Sequence, residues 1–197
     1  MLLVGSFTYA QIQKGDVLIG GSLFISNTTL ENAQPSSLEA NSFNFSPRAG
    51  LFLSEKMSLG LIIGYDRDKI ENSNVGVPNT TTENLFTFGA YMRNYKSLSE
   101  KFFFYLQTSI LIGTGNADVV VNNAIQEADR GAFGIEIQPG VSYFFTDRLS
   151  LDVSIFQLGY TDQTTELASA NINQETSRFF ISGGLNSVGV GLSWFLR

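Results

Sequence analysis

The sequence predicts an all-β chain, an eight-stranded antiparallel up-and-down barrel, and three observations carry that prediction. A hydrophobic, Ser/Thr, acidic, basic, hydrophobic pattern occurs three times, as Leu53-Ser54-Glu55-Lys56-Met57, Leu98-Ser99-Glu100-Lys101-Phe102 and Phe145-Thr146-Asp147-Arg148-Leu149. Each copy lies between two alternating apolar runs, the mark of a hairpin, and recurrence at a near-constant period implies an array or a barrel. Between the copies lie longer stretches rich in Asn, Thr, Ser, Asp and Glu, at 28–40, 71–82, 115–128 and 162–174, which read as loops.

Counting from these landmarks gives strands at about 15–27, 42–53, 57–69, 83–95, 101–113, 130–145, 149–161 and from 177 or later to 197. The first hairpin, "PRAGLFLSEKMSLGLII" from Pro47, returns from Pro139 as "PGVSYFFTDRLSLDVSI". Three short turns alternate strictly with four long loops, so all the short turns fall at one end and both termini join them there.

Successive side chains of a strand point to opposite faces, so parity assigns the faces. In the third strand Leu59, Leu61, Ile63 and Tyr65 oppose Ser58, Gly60, Ile62, Gly64 and Asp66. In the sixth, Phe133, Ile135, Ile137, Val141, Tyr143 and Phe145 oppose Gly134, Glu136, Gln138, Gly140 and Ser142, and in the last Val188, Val190, Leu192, Trp194 and Leu196 oppose Gly189, Gly191, Ser193 and Phe195. One face is bulky and apolar, the other small and polar. A water-facing surface wants roughly a quarter to a third of its residues charged, yet the polar parity is mostly Gly, Ser, Thr and Gln. It suits the interior of an eight-stranded barrel, which is just wide enough for side chains to fill. The apolar parity then faces lipid, whereas a soluble lipocalin-like carrier would turn it inward.

The charges on the inner parity, Arg48, Asp66, Arg93, Glu136 and Asp152, include both signs and are expected to form a lumen network, because unpaired charges there are costly. Outward-parity Phe102, Phe104, Tyr143, Phe145 and Trp194 gather near the short-turn end, where a membrane barrel places an interfacial aromatic girdle. Tyr65 is a candidate for the opposite girdle.

Composition bounds the rest. With 197 residues, 43% apolar and 15% charged, the chain suits one folded domain. The net charge of −6 and scattered Lys and Arg argue against nucleic acid as a partner. There is no Cys, hence no disulfide framework or thiolate metal site. The opening "MLLVGSFTYAQ" resembles the tail of a secretory signal peptide cut between Ala10 and Gln11, which leaves 1–10 as its remnant and 11–197 as the barrel domain. Lys14 is the first basic residue, so the usual positive segment is missing. No apolar run reaches 18 residues, so any membrane crossing is made by strands.

Over residues 11–197 the chain resembles the small eight-stranded outer-membrane barrels of OmpA/OmpX type, on the strength of its repeated hairpin, alternating parities and asymmetric ends. The resemblance implies a transmembrane barrel of the bacterial outer membrane, with short periplasmic turns and long outer loops. It also implies outer-membrane lipid and the envelope assembly machinery as partners, surface ligands met through the loops, and no cofactor. Family members usually close on an aromatic residue, whereas here Trp194 and Phe195 precede Leu196 and Arg197.

Three functions remain open. The first is a non-catalytic envelope protein whose filled barrel anchors surface loops. The second is a narrow pore for water or small ions, gated by the lumen charges. The third is an envelope enzyme or a carrier of an apolar ligand. The absence of His removes Ser-His and Asp-His arrangements. Glu136 and Asp152 share a parity on neighbouring strands, but Arg48 and Arg93 on the same face favour a structural network over a catalytic carboxylate pair. "GTGNAD" at 113–118 precedes no helix and so cradles no phosphate, "DRDK" at 66–69 reads as a solvated strand end, and Asp118, Glu127 and Asp129 fit no cation-loop spacing.

Overall fold

The computed structural model describes residues 12–31, 37–74, 77–121, 124–154, 156–167, 172–183 and 188–197. Among these every regular element is a strand: β1 Val17–Glu31, β2 Ser37–Ser54, β3 Met57–Asn74, β4 Val77–Ser97, β5 Phe102–Val121, β6 Ala124–Phe144, β7 Leu149–Ser154, β8 Phe156–Leu167, β9 Ile172–Gly183 and β10 Gly189–Leu196. The expected signal-peptide remnant lies outside the described residues.

All pairings are antiparallel and the sheet closes. β1 through β6 pair in sequence, β6 continues to β7, β7 to β10, and β10 returns to β1, a ring of eight. β8 and β9 extend this wall towards the far end, β8 on β6 and β9 on β8. The described residues of the expected seventh strand are β7 and β8, and those of the expected eighth are β9 and β10. Along the seventh the register changes: Gly140 pairs with Ser154 but Ile137 with Leu158, so the β7–β8 lane has one residue more than β6 opposite it. A bulge of this kind bends the lane.

The four polar stretches expected as loops are corrected by the structure. Most of 28–31, 37–40, 71–74, 77–82, 115–121, 124–128, 162–167 and 172–174 continues the strands. A transmembrane strand needs roughly 9–11 residues, whereas β4 and β6 have 21 each. Beyond the lipid both faces of the wall meet water, so polar residues occupy both parities. Composition was the misleading signal there: Thr80, Thr81 and Thr82 are β-branched and pair in a ladder with Val120, Val119 and Asp118.

The recurring turn has a mechanical explanation. In each copy the hydroxyl of the Ser or Thr accepts backbone N–H bonds inside the turn: Ser54 from Lys56 (3.3 Å), Ser99 from Phe102 (3.3 Å), and Thr146 from Arg148 (3.2 Å) and Leu149 (3.0 Å). The basic residue's carbonyl then accepts from the next hairpin, Lys56 from Tyr95 N–H (2.7 Å), Lys101 from Phe144 (2.9 Å) and Arg148 from Phe195 (2.8 Å). Asp16 completes the series by accepting from Phe52 N–H at 2.9 Å. One turn design therefore caps itself and ties each hairpin to its neighbour.

The apolar parity faces outward. Leu59, Leu61, Ile63, Phe86, Phe88, Ile110 and Ile112 are exposed, whereas the opposite parity supplies the buried Leu18, Phe52, Ser58, Tyr91, Arg93 and Ser193. The fold is inverted relative to a soluble carrier.

Candidate functional site: the lumen

The lumen has three levels. At the short-turn end lies an apolar floor of Ile12, Leu18, Phe52, Tyr95, Tyr105, Phe144 and Phe195, with Phe103 packed against it. Four of these, Phe52, Tyr95, Phe144 and Phe195, are the residues whose N–H groups are held by the neighbouring turns. Ring centroids of 5.5 Å for Phe52–Tyr95, 5.7 Å for Phe52–Phe195 and 4.9 Å for Phe144–Phe195 put the rings in mutual contact. This floor was missed in the sequence, although its signal was present: Phe52, Phe144 and Phe195 interrupt an otherwise small and polar parity.

Above the floor is an ionic layer. Asp152 Oδ2 accepts from Arg48 Nη2 and Arg93 Nη1, each at 2.6 Å, and from Ser193 Oγ at 2.8 Å. Its Oδ1 accepts from Ser142 Oγ at 2.7 Å and Ser150 Oγ at 3.2 Å. Arg93 Nε and Nη2 both donate to Gln107 Oε1, at 3.0 and 2.7 Å. Arg93, Asp152 and Arg48 are only 0, 3 and 5% exposed, so these charges are desolvated. Two guanidiniums against one carboxylate leave an excess of positive charge. The Tyr105 ring offsets it from below, 4.0 Å from the Arg93 guanidinium carbon, a cation–π contact worth about 2 kcal/mol when desolvated.

Two glycines let this layer fit. A Cβ at Gly60 would lie 2.7 Å from Tyr91 Cε1, and one at Gly140 would overlap the Tyr105 ring and sit 2.6 Å from the Val153 carbonyl. The Tyr91 and Tyr105 rings thus occupy the space that a side chain at Gly60 or Gly140 would fill.

Beyond the ionic layer the lumen opens into a cup of about 560 Å³. Asp66 and Glu136 line it, together with Asn44, Leu111, Gln157 and Phe180. Of the five charges expected to form one network, only Arg48, Arg93 and Asp152 come together. Asp66 hydrogen-bonds Asn44 instead, and Glu136 stands in the cup wall. Parity assigns a face but not a height: Asp66 is eight residues along β3 from Ser58, the partner of Arg93, roughly 26 Å at the strand rise. Glu136 is likewise separated from Ser142, the partner of Asp152. Glu136 and Asp152 share a parity but are therefore held apart along the barrel. A second ion pair, Arg130 with Glu83, is half-buried in the cup lining.

The aromatic residues singled out near the short-turn end lie on the outer surface. Phe102, Phe104, Phe145 and Trp194 are exposed and Tyr143 is partly so. Phe102–Tyr143 and Tyr143–Phe145 centroids are 4.8 and 5.1 Å apart. Tyr65 stacks near Phe86 at 4.8 Å, towards the other edge of the apolar belt. Among the described residues no group of three or more His, Cys, Asp or Glu could hold a metal ion.

A closed antiparallel wall, apolar outside and polar or charged within, defines an integral β-barrel of the bacterial outer membrane. The chain belongs to the family of outer membrane protein β-barrel domains, whose model matches residues 1–194. Its fold is similar to that of the outer membrane protein OprG from Pseudomonas aeruginosa, with TM-score 0.53, 8% identity, and coverage of 96% of this chain and 100% of that one. Neisserial surface protein A (NspA) aligns with TM-score 0.47 and 17% identity, covering 92% and 97% of the two chains. The outer membrane protease OmpT from Escherichia coli aligns with TM-score 0.41 and 8% identity, over 97% of each. The shared fold rests on the likeness to OprG. No curated protein matches the sequence.

Proposed function

We propose that this protein is a non-catalytic structural and surface-contact barrel, anchored in outer-membrane lipid with its lumen sealed at the short-turn end. The observation that carries the reading is the double closure, in which the aromatic floor from Phe52 to Phe195 lies beneath the Arg48–Asp152–Arg93 layer. Ions crossing it must displace packed rings and break a fully buried charge cluster. The long polar wall beyond the lipid belt then presents surface for ligands outside the cell, and the short-turn end faces the periplasm. Insertion by the envelope assembly machinery belongs to the same reading. A non-catalytic role is supported by a chain without His or Cys, together with the engagement of Asp152 by two arginines.

Planar-bilayer recording tests this. The purified barrel is expected to give no stepwise conductance, and Glu136→Ala, which alters the cup above the seal, is expected to leave that baseline unchanged. Discrete openings in the unaltered protein, or openings created by Glu136→Ala, would instead favour a narrow pore for water or small ions.

A further inference from the structure

Half of the chain's 12 basic residues lie at the short-turn end: Lys14 before β1, Lys56, Lys101 and Arg148 in the recurring turns, Lys96 near the close of β4 and Arg197 after β10. Four carboxylates accompany them, Asp16, Glu55, Glu100 and Asp147, so the side chains of this end carry +2 in a chain whose total is −6, and the remainder carries −8. Residues 1–11 contain no charged side chain and leave that balance unchanged. Arg197 engages two of the four carboxylates, 3.7 Å from Asp16 and 3.5 Å from Asp147. The side chains of Lys14, Lys56, Lys96, Lys101 and Arg148 are exposed and make no ion pair or hydrogen bond among the described residues.

Parity and register place these cations beside the aromatic girdle. Lys96 has the outward parity of Phe88 and Met92 and pairs with Phe104. Lys101 immediately precedes Phe102, whose ring lies 4.8 Å from Tyr143. Phe145 N–H donates to the Leu149 carbonyl at 3.0 Å, which brings Arg148 next to the Phe145 side of the girdle. Aromatic rings of a belt sit at headgroup level, and long Lys and Arg side chains extend their charged ends to that interface. The far end of the wall has the opposite sign, with Asp118 across from Glu127 and Asp129 across from Glu166 on paired strands. Anionic headgroups are repelled there and attracted at the turns.

We propose that the short-turn end is a docking ring for anionic glycerophospholipids of the leaflet it faces. Lys56, Lys96, Lys101 and Arg148 hold the headgroup phosphates, while the acyl chains lie along the apolar belt. The basic residue of the recurring turn thus acts twice, its carbonyl tying one hairpin to the next and its side chain meeting lipid. The inference rests on the barrel's membrane placement and not on the sealed lumen.

The test uses the full chain refolded into vesicles of phosphatidylcholine and phosphatidylglycerol in equal parts. Spin-labelled lipid of either headgroup is read by electron paramagnetic resonance, in which lipid against the protein gives a motionally restricted component. Phosphatidylglycerol is expected to be enriched several-fold over phosphatidylcholine in that component at low salt. The enrichment falls to near parity in the quadruple variant Lys56→Gln, Lys96→Gln, Lys101→Gln and Arg148→Gln. It falls likewise for the unaltered protein in about 1 M salt, where the screening length is about 3 Å, an arm that stands even if the quadruple variant does not refold. Arg67→Gln with Lys69→Gln, on the outward parity of β3, keeps the full enrichment. Equal occupancy by the two lipids would overturn the proposal and leave the cations to a soluble acidic partner. Enrichment that survives the quadruple change or high salt, or that is lost in the β3 variant, would also overturn it. No restricted component at all would refute the membrane placement together with the ring, whereas a component without headgroup preference refutes the ring alone.

Discussion

At the scale of single residues, the lumen is organised by one carboxylate. Asp152 takes hydrogen bonds from two arginines and three serines on four other positions around the wall and its own strand. Replacing it with Asn keeps the shape but leaves two desolvated guanidiniums without a counter-charge. Breaking a buried pair in this way costs about 3–5 kcal/mol. Asp152→Asn is therefore expected to lower stability by that order in urea titrations of the micelle-bound barrel, whereas Arg130→Ala, which breaks the half-buried pair with Glu83, should cost no more than about 1 kcal/mol. Similar losses from the two substitutions would show that burial of Asp152 carries no special weight. The sequence disclosed which charges face inward, because parity is a local property. It did not disclose which of them meet, because Asp66 and Glu136 differ from Asp152 in height, and height follows from register and strand tilt.

At the scale of elements, the repeated turn is the unit that closes the barrel. Thr146 accepts two backbone N–H bonds and Ser54 accepts one, and a typical net hydrogen bond contributes about 0.5–1.5 kcal/mol. Thr146→Ala is accordingly expected to lower the urea midpoint more than Ser54→Ala, and the triple change with Ser99→Ala to lower it most. Equal midpoints for all three would assign the turns no capping role. The turns were legible because their hydroxyl, acidic and basic residues recur in fixed order. The strands beyond the lipid belt were not, because their two-sided polarity removes the alternation that marks a strand elsewhere. The aromatic floor was hidden for a related reason. Phe52, Phe144 and Phe195 each look like an isolated exception to a polar parity, and only closure of the ring brings Phe195 against both Phe52 and Phe144, joining them in one cluster with Tyr95 and Tyr105.

At the scale of the whole molecule, the arrangement is apolar outside and charged within, the reverse of a water-soluble barrel. The exposed belt that includes Leu61, Ile63, Phe86, Phe88 and Ile112 is covered by nothing among the described residues, so lipid or detergent is the solvent in which the fold is expected to be stable. Water would offer no favourable environment for that belt, and the desolvated Arg93 and Asp152 stay satisfied only while the wall remains closed around them. The most direct measurement is heat modifiability with far-UV circular dichroism, on residues 11–197 refolded with and without detergent. The account predicts a β spectrum and a boiling-dependent shift in gel migration in detergent micelles alone. A folded, monodisperse β protein in plain buffer would contradict it, since the apolar parity would then have to point inward.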